Sequence, residues 1–144
     1  MNANDTVKLL RECDAGIKMG VASIDDVLPY VKSEQLKDTL EESKKRHEHL
    51  GEEAQRMLSL HHDEGKEPGL MAKSMSHMKT GIKLSMDRTD ATVADLMTDG
   101  CHMGVKSLGR FLNQYTEADE ASRDLAKKLI HIEDSLAVDV RPYL

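Results

Sequence analysis

The stretch Gly16-Ile17-Lys18-Met19-Gly20-Val21-Ala22-Ser23 returns 84 residues later as Gly100-Cys101-His102-Met103-Gly104-Val105-Lys106-Ser107, with five of eight positions identical. In the same alignment Ile24 lies over Leu108, Leu28 over Leu112 and His47 over His131. Self-similarity at a fixed spacing marks a supersecondary unit used twice. Each copy begins inside an apolar stripe of helical period and runs into a second such stripe, so the repeated unit reads as an α-hairpin.

Outward from the repeat, five helical blocks are separated by breakers. The first opens at Asn4 and Asp5, carries Leu9 or Leu10, Cys13, Ile17, Gly20, Ile24 and Val27, and stops before Pro29. The second is capped by Ser33 and places Leu36, Leu40, Ser43, His47, Leu50, Ala54 and Met57 on one side. That 4-3-4-3 spacing is the seam of a helix bundle. Residues 63–69, Asp-Glu-Gly-Lys-Glu-Pro-Gly, contain no apolar side chain and read as a loop. A third block, Leu70 to about Met86, lines up Met71, Met75, Met78, Ile82 and Met86, with His77 nearby. A Met stripe is the face of a helix laid on a core or on a protein partner, and thioethers would also suit Cu(I). The fourth block opens at Asp87, Thr89 or Asp90 and carries Val93, Leu96 or Met97, Gly100, Met103 or Gly104, Ser107, Phe111 and Tyr115. The fifth opens at Thr116 or Asp119 and carries Leu125, Leu129, Ile132, Leu136 and Val140 up to Pro142. The expected fold is therefore all-α, a single domain over 1–144 with one hairpin over 5–62, a crossover helix over 63–88 and a second hairpin over 89–144.

Composition narrows the function classes. With 144 residues, 39% hydrophobic, the chain can bury one core, and 3% aromatic residues is too little for a β-sandwich or barrel. The net charge of -6 and the lack of a basic, aromatic-studded patch argue against nucleic acid. No membrane span and no secretion signal is read, so the expectation is a cytoplasmic protein with Cys13 and Cys101 reduced. A homodimer through helix faces is the expected assembly. No Gly-x-Ser-x-Gly, phosphate loop or Cys-x-x-Cys is present, and no complete catalytic constellation emerges.

Two long α-hairpins related by a pseudo-twofold and joined by a crossover resemble the ferritin-like superfamily, an up-down four-helix bundle. The first helix, Leu9-Leu10-x-x-Cys13-Asp14-x-Gly16-Ile17, and the second, Leu36-Lys37-x-x-Leu40 through His47-x-x-Leu50-x-x-Glu53, are similar to short bacterial ferritin-like bundles of unassigned function. The resemblance implies a di-iron or di-manganese centre, built from inward carboxylates and two Glu-x-x-His pairs. This chain departs from that pattern on every helix. His47 is on the seam, but Lys44 stands three residues before it; Glu133 is near the seam, but Leu136 stands three residues after it. The first and fourth blocks offer only Ile17, Gly20, Gly100 and Met103 or Gly104.

The expectation is thus a ferritin-like bundle without an intact di-metal site and without a cofactor, acting by non-catalytic binding in stress or storage physiology. His47 then serves as a seam histidine bonded to a neighbour such as Ser43. The rival is a di-iron or di-manganese carboxylate protein, an oxidoreductase or metal store, using His47, His131 and Glu133 as an unorthodox metal set. Asp14, Glu48, Asp99, His102 and Asp134 are further donors, spread over other helix faces. The paired glycines also have two readings. They let the first and fourth blocks pack closely, or they leave a cavity for a small ligand beside Met19 and Met103.

Overall fold

The structure, a computed structural model, describes residues 3–66 and 88–144. Within them every regular element is a helix: α1 (Ala3–Val27), α2 (Glu34–Leu60), α3 (Asp90–Gln114) and α4 (Glu120–Val140), with short 3-10 turns at Leu28–Tyr30 and Arg141–Tyr143. α3 and α4 are the fourth and fifth blocks of the sequence. The Met-rich third block, with its readings as crossover helix, partner surface and Cu(I) ligand, lies outside the described residues.

Local chemistry sets the boundaries. Ser33 Oγ accepts from the Leu36 amide, Thr89 Oγ1 from the Thr92 amide and Asp119 Oδ1 from the Ser122 amide, each satisfying an orphan donor of a helix start. Pro29 and Pro142 fall in the 3-10 turns, where the missing N–H costs nothing and the α-helix cannot continue. α2 ends when His62 takes φ 56° and the Asp63 amide bonds back to the Leu58 carbonyl at 3.0 Å. That left-handed cap is usually glycine or asparagine.

α1 packs against α2, and α3 against α4, as two antiparallel hairpins closed by short turns. One core cluster joins the end of α1 to the starts of α2 and α3 and the end of α4, through Val27, Leu36, Val93 and Val140. The other joins Leu9, Leu58, Leu108 and Leu125 at the opposite end. α2 and α3 consequently run the same way, so the chain leaves one end of the bundle after α2 and re-enters at the other before α3.

The hairpin turns are held reciprocally. The Asp90 carboxylate, at the start of α3, accepts from the Lys32 and Ser33 amides at 2.8 and 3.0 Å. At the other end Asp5 accepts from the Glu117 amide at 3.1 Å, and Thr6 Oγ1 from the Asp119 amide at 2.9 Å. Each turn is therefore clamped by the first helix of the other hairpin.

The expected seam holds in α1 and most of α4, where Leu9, Cys13, Ile17, Ile24, Leu125, Leu129, Leu136 and Val140 are buried, but Ile132 is half-buried and Glu133 takes the inward place beside it. Two stripes shift. In α2 the last inward residue is Leu58, and Met57 is half-buried. In α3 the core face passes through Met97, Cys101 and Leu108 rather than Gly100, Met103 and Ser107, and Met103 is 67% exposed. The row that sequence periodicity assigned to the core instead borders an opening.

Asp14, 2% exposed, anchors the chain beyond α2: it accepts from Gln55 Nε2 at 2.8 Å and from the Lys66 amide at 3.0 Å, and pairs with Lys18. Gly65 passes over it at φ +97°, where a Cβ would collide with the carboxylate. Gly65→Ala is expected to destabilise the fold by roughly 2 kcal/mol, from backbone strain and loss of the anchor, measurable by urea denaturation.

Candidate functional site

The two core clusters are separated by a polar layer at mid-height. His47 on α2 is 1% exposed; its Nδ1 donates to the Ser43 carbonyl at 2.8 Å, and its Nε2 lies 2.8 Å from Glu133 Oε1 on α4. A carbonyl can only accept, so Nδ1 carries a proton, and one further proton lies between Nε2 and Glu133 Oε1. With that proton on His47, the side its raised pKa favours, the pair is an imidazolium against a carboxylate. Burial by itself pulls the His47 pKa down, but the hydrogen bond and charge of Glu133 and the Ser43 carbonyl together outweigh it and leave it raised. Removing one partner of such a pair costs about 3–5 kcal/mol, because the other charge stays buried.

This pair accounts for one of the repeated glycines. A Cβ on Gly20 would stand 2.7 Å from the His47 ring and 3.4 Å from Glu133 Oε1. The ring is held at both nitrogens and cannot move aside cheaply. At the equivalent place in the repeat, a Cβ on Gly104 would meet Glu133 at 3.6 Å, ordinary contact, and one on Gly100 would meet nothing within 4 Å. The nearest neighbours of Gly16, Gly20 and Gly104 thus come from α2 and α4, not from the facing glycine row. Close packing of the two glycine rows is not what the structure contains.

Between the rows lies a cleft of about 250 Å³. α1 supplies Gly16, Met19, Gly20 and Ser23 to one wall, and α3 supplies Gly100, Met103, Gly104 and Ser107 to the other. Leu129, Glu133 and Leu136 of α4 form the floor, with His47 beneath Gly20. α1 contacts α4 across the bundle as extensively as it contacts α3, its neighbour across the cleft.

The two thiols belong to different halves of the core, Cys13 to one cluster and Cys101 to the other, and both are free. Burial pushes the Cys13 pKa up to about 12. Cys101 is pushed higher, first by burial and then by the adjacent Glu133. Neither is an activated nucleophile.

Of the metal set read from the sequence, the structure brings together His47 and Glu133 only. His131 is exposed in a shallow groove with Lys45, His49 and Lys127. Glu48, Asp99, His102 and Asp134 are also exposed, and Asp14 is committed to its anchor. Lys44 turns outward to Asp25 at 2.7 Å. Among the described residues no group of three or more His, Cys, Asp or Glu is placed to hold a metal ion. The donor set does not fit a di-metal centre, since both nitrogens of His47 are engaged and the α1 and α3 positions are glycines.

No family model matches the chain, and neither a curated protein nor a solved structure matches it. No helix among the described residues is long and apolar enough to cross a membrane.

Opposite outcomes are expected at glycines the repeat makes equivalent. Gly20→Ala should lower stability by about 1–3 kcal/mol through overpacking, whereas Gly104→Ala should raise it by about 0.5–1 kcal/mol through helix propensity, both read by urea denaturation. The raised His47 pKa also has a sign. Its stabilisation is complete below the unfolded value of about 6.5 and is lost as pH rises through the higher folded value. The melting temperature should fall over that window, and His47→Gln should abolish this part of the fall.

Proposed function

We propose that the chain is a non-catalytic binding protein of ferritin-like architecture, in which the His47–Glu133 pair stands where a di-metal centre would be and the ligand occupies the cleft between α1 and α3. The architecture is supported by the parallel run of α2 and α3 and by the reciprocal clamps at Asp90 and at Asp5 with Thr6. With the 84-residue shift, Asp5 and Thr6 fall on Thr89 and Asp90, so the two clamps come from equivalent places in the repeat.

The observation that carries the binding role is the cleft itself. Glycines cost helix stability, about 0.8–1 kcal/mol each relative to Ala. At Gly20 the cost secures the buried pair, but at Gly100 and Gly104 no neighbour requires it. What those two positions provide is open space beside apolar walls. An apolar cavity of about 150 Å³ accepts a benzene ring, so about 250 Å³ accommodates roughly ten non-hydrogen atoms.

Protein labelled with ¹³C at its Met methyls tests this, since Met19, Met97 and Met103 line the cleft. Titration with small apolar aromatics from toluene to naphthalene should shift these three signals saturably. Gly100→Leu, at a position where an added Cβ would meet nothing within 4 Å, should remove the response. No saturable shift with any compound would overturn the proposal. So would two equivalents of iron or manganese per chain in tag-free protein that are lost in His47→Ala and Glu133→Ala.

A further inference from the structure

We infer that the cleft selects a neutral ligand with an apolar body and one hydroxyl or N–H donor, the donor seated on Glu133 Oε2; this rests on the cleft being the binding site. Glu133 is more than nine-tenths buried, and its Oε1 is taken by His47. Oε2 is oriented toward Gly104, 3.7 Å from where a Cβ would stand, and Glu133 lines the cleft floor. The absent Gly104 side chain is what leaves this oxygen reachable from the cleft. A carboxylate oxygen accepts hydrogen bonds and cannot donate, so the complementary ligand atom is a donor.

Charge decides between a neutral donor and an ammonium group. The His47 imidazolium already neutralises Glu133, and the other acid of the lining, Glu12, is paired with Lys66. A cation would therefore lose its water without meeting net negative charge, and an anion would face a carboxylate. The remaining polar groups of the lining, the Ser23 and Ser107 hydroxyls and the buried Cys101 thiol, are neutral, and the thiol itself hydrogen-bonds Glu133, so a ligand donor shares that carboxylate with it. The walls between them are Met, Leu, Ile and Phe side chains, which favour an apolar body.

Five naphthalene-based probes separate the alternatives by titration calorimetry with the full chain: naphthalene, 1-naphthol, 1-methoxynaphthalene, 1-naphthoate and 1-naphthylmethylammonium. 1-Naphthol should bind about tenfold more tightly than its methyl ether, the loss expected for a hydrogen bond to a charged acceptor. Both ions should bind more weakly than 1-naphthol. Glu133→Gln, which keeps an acceptor for His47, should erase the naphthol preference. Should that variant fail to fold, Gly104→Ala is the second test, because its methyl covers Oε2 without a clash; it should reduce naphthol to the affinity of the ether. Equal binding of 1-naphthol and 1-methoxynaphthalene, both still blocked by Gly100→Leu, would overturn the donor assignment and leave cleft binding standing. Tightest binding of either ion would also overturn it. Absence of binding by all five would overturn both readings. So would Met19 and Met103 signals that respond to protein concentration alone, which would put a second copy of the chain over the cleft.

Discussion

The His47–Glu133 pair is the constraint around which the rest of the bundle is arranged. Two opposite charges at 2.8 Å in a helical core need fixed geometry and engaged lone pairs, or the desolvation cost is not recovered. The structure meets this need with the Ser43 carbonyl on the far nitrogen and with Gly20 giving the ring its room. The apolar core is divided as a result. One cluster closes each end, and the polar layer between them joins α2 to α4.

The cleft is a consequence of the same layer. α1 comes close enough to α2 and α4 for Gly20 to cover the His47 ring, and it contacts α4 across the bundle as extensively as it contacts α3. The gap is edged by the repeated small residues and floored by the carboxylate that holds the histidine. A bundle with large side chains at Gly100 and Gly104 would have filled this space. The cleft and the structural pair therefore share Glu133, one oxygen turned to each.

Much of the fold was legible because it rests on local rules. Ser33, Thr89 and Asp119 cap their helices as short polar side chains do, Pro29 and Pro142 end theirs, and the apolar spacing of α1 and α4 marks the buried face. His47 and Glu133 could be singled out as polar residues on a seam, but their bond joins residues 86 apart and no pattern within one helix announces it. His131 shows the converse. The repeat aligned it with His47, yet the second copy's inward position falls to Glu133, two residues on, and a two-residue change on a helix turns a side chain by about 200°.

What the sequence determined by itself was an all-helical fold, since periodicity, capping and breakers act within a few residues; the expectation of one hairpin used twice came from comparing the sequence with itself. What only the tertiary structure decided was the use of the glycines. Identical Gly-x-x-Met-Gly rows fit a tight helix crossing as well as an open cleft, and the outcome depends on what lies beneath them. Here a histidine from α2 and a carboxylate from α4 occupy that place, holding the bundle closed on one side and open on the other.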